Sequence, residues 1–136
     1  MTVVLDTNVV VSGILRPYGK AAAILRLVVS GMLTLAYDQR ILGEYREVLR
    51  RPKFNFSDET VIDFLSEIEE EGMLVSSRPL HYPLLDLEDA LFLEVALSSK
   101  ATALITGNKR HFPKKAYGET KVLSPAEFFV IFGDKL

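Results

Sequence analysis

The sequence has no cysteine, no tryptophan and only two histidines, His81 and His111. Without thiols there are neither disulfides nor thiolate metal sites, which accords with a reducing compartment. Two imidazoles argue against a zinc site built mainly on histidine. Long apolar runs are missing as well: none approaches the roughly 18 residues that a bilayer span requires. The first apolar run has no basic flank and is broken at Asp6, unlike a secretory signal, so a cytoplasmic protein with no membrane contact is expected. Positive charge is not in excess either, the formal net charge being −2. A protein that grips long duplex DNA is ordinarily basic, so any nucleic-acid contact must be local.

What is present is an ordinary globular composition, 49% hydrophobic and 25% charged over 136 residues. Residues 1–136 are expected to form a single domain, since a chain of this size buries roughly two-thirds of its unfolded surface. Short apolar runs (Val3–Leu5, Leu33–Ala36, Met73–Val75, Ala101–Ile105 and Lys121–Leu123) alternate with longer segments of helical period. That alternation predicts an α/β domain. Several runs are apolar throughout, as in parallel strands covered on both faces.

Helix starts are well signalled. Ser124-Pro125-Ala126-Glu127 carries an N-cap, a proline at the first helical position and a glutamate three residues after the cap. Asp38 precedes a helix that Pro52 stops, Ser57 one that ends near Gly72, and Asp86 one that runs to about Ser99. Val9 to Ser30 reads as two helical pieces interrupted near Arg16–Gly19. The last helix, with Phe128, Phe129, Ile131 and Phe132, is apolar almost all round and predicts burial in the core or a face against a partner subunit. Basic residues gather at Arg50-Arg51-Lys53 and at Lys109-Arg110 with Lys114-Lys115, where solvated surface charge suffices as an explanation of each cluster.

Ligands of open parallel sheets bind beyond the carboxyl ends of the strands, which directs attention to acids just after strands. Asp6 follows Val3–Leu5 directly, though an aspartate there also serves as a helix cap. Glu44 falls at the border of the stripe formed by Ile41, Leu42, Tyr45, Val48 and Leu49, within reach of a pocket rim or of Arg40, Glu47 and Arg51 at the surface. Asp89 shares the apolar face of Phe92, Leu93 and Ala96, and an inward carboxylate is costly unless something satisfies it. Asp86, Glu88 and Asp89 crowd three like charges into four residues. Thr106-Gly107-Asn108 closes the fourth strand in a tight turn, with Asn108 offering a carbonyl oxygen. His81 and His111 read as loop residues, with His111 next to that turn.

Such a trio of acids suits a hard cation. Mg²⁺ is typically held by one or two carboxylates together with substrate phosphate. A cation so held would bind a phosphate oxygen and lower the pKa of a bound water, and Lys109 or Arg110 would be placed to offset charge on a scissile phosphate.

Taken together, Leu5–Val9, Glu44–Leu49, Asp86–Leu93 and Ile105–Asn108 resemble the PIN domain, motif by motif and in order over nearly the whole chain. The resemblance is closest to the prokaryotic branch of toxin components from toxin–antitoxin pairs. It implies a three-layer α/β/α fold around a parallel sheet of about five strands ordered 3-2-1-4-5. It also implies a Mg²⁺- or Mn²⁺-dependent ribonuclease in which Asp6, Glu44 and Asp89 are the metal-binding catalytic acids. Thr7, Asn8, Asp86 and Thr106 would support them, and Lys109 and Arg110 would contact RNA. Asn108 stands where many members carry a fourth aspartate and would ligate more weakly or through water. The resemblance further implies a homodimer and an antitoxin partner. The substitution at Asn108 and the acidic net charge also admit a catalytically weak RNA-binding or regulatory module. An aspartyl-phosphate enzyme of the haloacid-dehalogenase type would need a second aspartate where Asn8 stands.

Overall fold

The computed structural model describes residues 1–80, 86–112 and 118–136; His81, Pro83, Lys114 and Lys115 lie outside them. The elements follow the order β1 (Thr2–Leu5), α1 (Thr7–Leu15), α2 (Lys20–Val29), β2 (Thr34–Tyr37), α3 (Gln39–Leu49), α4 (Asp58–Glu71), β3 (Met73–Leu74), α5 (Leu87–Ser98), β4 (Ala103–Ile105), β5 (Lys121–Leu123) and α6 (Pro125–Phe132). Five strands form one parallel sheet in the order β3-β2-β1-β4-β5, the α/β architecture expected from the sequence.

The register explains the apolar runs. Val3, Val4 and Leu5 of the central strand pair with Ala103, Leu104 and Ile105 of β4, and all six are fully buried. β3 lies at the edge of the sheet, where both of its residues are exposed. The step from α4 into this edge strand turns at Gly72. A Cβ there would stand 2.5 Å from the Ile68 carbonyl oxygen and 2.9 Å from that of Leu35, so any side chain would force backbone apart.

Local signals act as anticipated at the helix starts. Asp38 accepts from the Ile41 amide and Ser57 from that of Thr60, while Ser124 and Glu127 complete a capping box on α6. That last helix divides by face: Phe128 and Phe132 are buried, whereas Val130 and Ile131 face outward. Its apolar character therefore reflects a core side and an exposed side together.

A polar clamp fastens the return from β3 to α5. Arg40 donates to Asp38, to Ser77 and to Oε1 of the buried Glu94, each at 2.8 Å. The other Glu94 oxygen accepts from the Leu80 amide at 2.8 Å. Sequence reading passed over Glu94, because a carboxylate inside an apolar helix gives no sign of its distant partner.

Candidate functional site

The strand order reverses between β1 and β4, and a crevice opens at the carboxyl ends of strands where such a reversal occurs. Asp6 sits at that point. Its amide donates to the Ile105 carbonyl at 2.9 Å, locking it between the ends of the two strands. Asp6 occupies the N-cap position of α1, where its side chain completes no capping hydrogen bond though the Thr7 and Asn8 backbone amides favour its charged form. Oδ2 also accepts from the buried Thr106 hydroxyl at 2.7 Å and from the Asn8 side-chain Nδ2 at 3.3 Å. Asn8 Oδ1 in turn accepts from the Gly107 amide at 3.0 Å, which joins the turn after β4 to the start of α1.

Glu44 reaches the same cleft from α3. Its neighbour Tyr45 is fully buried and donates its hydroxyl to the Leu5 carbonyl, which pins α3 against the end of β1. This turns Glu44 toward α1, where the Thr7 hydroxyl donates to Oε2. Asp89, in the first turn of α5, lies 3.3 Å from His111 Nδ1. Asn108 Nδ2 lies 2.8 Å from the opposite ring nitrogen. The pair of contacts fits an imidazole that accepts from Asn108 at Nε2 and donates from Nδ1 to Asp89.

Asp6, Glu44, Glu88, Asp89 and His111 thus share one cleft of about 470 Å³, with Arg16, Arg51 and Phe54 on its other walls. Its electrostatics are strained. Burial pushes all three sequence-predicted acids above the usual carboxylate range. For Glu44 the Thr7 hydroxyl opposes the shift, while repulsion from Asp6, Glu88 and Asp89 adds to it. For Asp89 the nearby His111 opposes, and Asp6 and Asp86 add. Burial, reinforced by Asp6, Glu44 and Asp38, also drives the Tyr45 phenol well up, so it remains a donor.

Asn108, Asp86, Lys109 and Arg110 are not among the residues lining the cleft. Asn108 meets His111 through Nδ2, and His111 takes the wall position itself. Asp86 is exposed and caps α5 through the Glu88 amide rather than facing the other acids. Lys109 is tied to Glu127 at 2.8 Å, and this bond, with the capping contacts at Ser124, holds the Glu127 carboxyl down at about 2. Arg110 is exposed beside it. Sequence reading missed Glu88, which passed for an ordinary N-terminal helix acid, and Arg16, which looked like part of a helix break.

The chemistry of the three carboxylates suits a hard divalent cation: oxygen donors, each destabilised by burial, with Glu44 and Asp89 further raised by neighbouring acids. Among the described residues no three acids or imidazoles surround one point as a metal cage would. Thr7, Thr106 and His111 hold the carboxylates in hydrogen bonds instead.

Fold and cleft together define an open parallel α/β protein with an acidic pocket at its topological switch point. The sequence profile of the PIN domain matches residues 2–110. The chain belongs to the PIN domain family, a family of nucleases. Similar solved structures include VapBC2 from Rickettsia felis bound to a DNA fragment from their promoter, at 16% identity and a TM-score of 0.57, covering 90% of this chain and 97% of that one. FitAcB from Neisseria gonorrhoeae is similar at 19% identity and a TM-score of 0.57, covering 91% and 98%. At these identities the likeness is one of fold. Among proteins of curated function no significant match is found, and no helix among the described residues is long and apolar enough to cross a membrane.

Proposed function

We propose that the chain, acting through residues 1–136 as one domain, is a divalent-metal-dependent endoribonuclease in which Asp6, Glu44 and Asp89 hold Mg²⁺ or Mn²⁺. The observation that carries this reading is the arrival of three carboxylates from three separate elements in one cleft, each raised by burial. Isolating like charges in this way destabilises the apo protein and favours occupation by a cation. A cation held by these carboxylates would supply Lewis-acid activation of the phosphate and a water of lowered pKa. The chain's own residues supply position: Thr106 and Asn8 fix the Asp6 carboxylate, Thr7 orients Glu44, and His111, backed by Asn108, orients Asp89. Arg16 and Arg51 line the cleft to meet phosphate, with Lys109 and Arg110 further out along the strand.

The test is cleavage of RNA with Mn²⁺ or Mg²⁺, with EDTA, and with Asp6→Asn. Activity is expected only for the wild type with metal, and unchanged cleavage by the variant would reject the assignment. The engagement of Asn108 with His111, rather than with the cleft, favours a second reading in which turnover is weak and the protein acts by binding RNA. Thermal stabilisation by millimolar Mn²⁺ supports the first reading; its absence supports the second.

The fold shared with VapBC2 and FitAcB supports a finer assignment as the cytoplasmic toxin of a toxin–antitoxin pair, homodimeric and held by an antitoxin. A short gene for a DNA-binding protein immediately upstream is expected on this reading. Light scattering on the purified protein is expected to give the mass of a dimer, and a clean monomer removes that part.

A further inference from the structure

The cleft that holds the acids also carries a feature that binding a cation does not require. A single 3₁₀ turn, Pro52–Phe54, follows α3, closed by amides of Phe54 and Asn55 bonding back to Arg51 and Pro52. Asn55 then adopts the left-handed conformation, φ 54°, which Asn tolerates better than most residues. The Phe54 and Phe56 rings stack, with centroids 5.5 Å apart and planes at 13°. Phe56 packs on the hydrophobic core. Phe54 stays half-buried on the cleft wall with Arg51. The Lys53 ammonium stands 5.1 Å from the Phe54 centroid.

We propose that Phe54, backed by Phe56, is a stacking platform for one unpaired base of a single-stranded RNA, with Arg51 and Lys53 taking the adjoining phosphates. The proposal rests on the reading of the cleft as a nuclease site and adds what holds the substrate there. A cleft walled by Asp6, Glu44, Glu88 and Asp89 repels the phosphate backbone. A π face attracts a base without regard to that repulsion, and every base has a face to offer. Paired bases of an A-form duplex keep theirs inside the helix, so the platform selects unpaired RNA. Lys53 is exposed and its hold on the ring is weak, so a base can displace it and leave its charge beside the strand. The pairing of Arg51 with Glu47 is likewise exposed on both sides and yields readily to phosphate.

The experiment is fluorescence anisotropy of a labelled short oligoadenylate with the full chain in EDTA, where no cleavage occurs. Phe54→Leu keeps the apolar bulk but removes the ring, and a roughly ten-fold or greater loss of affinity is expected; Phe54→Trp should bind as tightly as wild type or tighter. An abasic chain of equal length should bind wild type weakly and be indifferent to Phe54→Leu. Wild-type affinity in Phe54→Leu, equal affinity for a duplex, or no binding of oligoadenylate by wild type overturns the proposal. Failure of the nuclease reading looks different: cleavage would not respond to metal or to Asp6→Asn while binding still depended on Phe54.

Discussion

Replacing Thr106 with valine keeps the shape of a fully buried side chain and deletes one hydroxyl. That hydroxyl donates to Asp6 Oδ2 at 2.7 Å and accepts from the Asn108 amide at 3.0 Å. A hydrogen bond to a charged group contributes about 1.5–3 kcal/mol. The added methyl returns part of that, so a net loss of about 2 kcal/mol is expected. Unfolding entropy of about 2.1 cal/mol/K per residue over 136 residues is about 0.29 kcal/mol/K, so the melting temperature should drop by about 7 °C. Thermal and urea unfolding, both in EDTA, measure it. Thr106→Ser keeps the bond and should lose only about 1 kcal/mol, the cost of a buried methyl. In an Asp6→Asn background the same Thr106→Val change should cost less, because the hydroxyl no longer faces a carboxylate. An equal cost in both backgrounds would refute the claim that this hydroxyl acts on the Asp6 charge.

The remaining expectations follow from the same contacts. Because burial raises Asp6, Glu44 and Asp89 in the folded state, their contribution is fully present below the unfolded carboxylate range and is lost as pH rises through the raised folded values. In EDTA, Asp6→Asn/Glu44→Gln/Asp89→Asn should therefore gain stability over wild type as pH climbs from about 4 toward neutral; a gap that stays constant contradicts the shifts. Gly72→Ala should cost roughly 2–3 kcal/mol, since the contacts at 2.5 and 2.9 Å are to backbone oxygens that cannot swing aside; urea unfolding checks it. Arg40→Ala should destabilise by roughly 1–2 kcal/mol, below the usual cost of stranding a buried charge because Arg40 is half exposed, and Arg51→Ala by less than about 0.5 kcal/mol. Equal losses at the two arginines would mean that the burial of Glu94 does not matter.

The amino-acid sequence by itself determined whatever depends on neighbours along the chain. The five apolar runs became the five strands, and for the three inner ones the reason is that a parallel strand covered on both faces needs no polar alternation. Ser57, Asp86 and Ser124 capped their helices, because a cap needs only the next turn. Asp6 was marked by its place after β1, and Asp89 by sharing a face with Phe92 and Leu93. Only the tertiary structure decided how these acids are held and what else reaches them. Thr106 meets Asp6 across 100 residues and Thr7 meets Glu44 across 37, contacts that no local period encodes. Likewise His111 stands on the cleft wall and meets Asn108 Nδ2, a placement set by the 3₁₀ turn Lys109–His111 after β4. Phe54 carries no local mark of a site in the sequence. Its place beside the acids follows from the packing of α3, whose Tyr45 hydroxyl meets the Leu5 carbonyl at the end of β1.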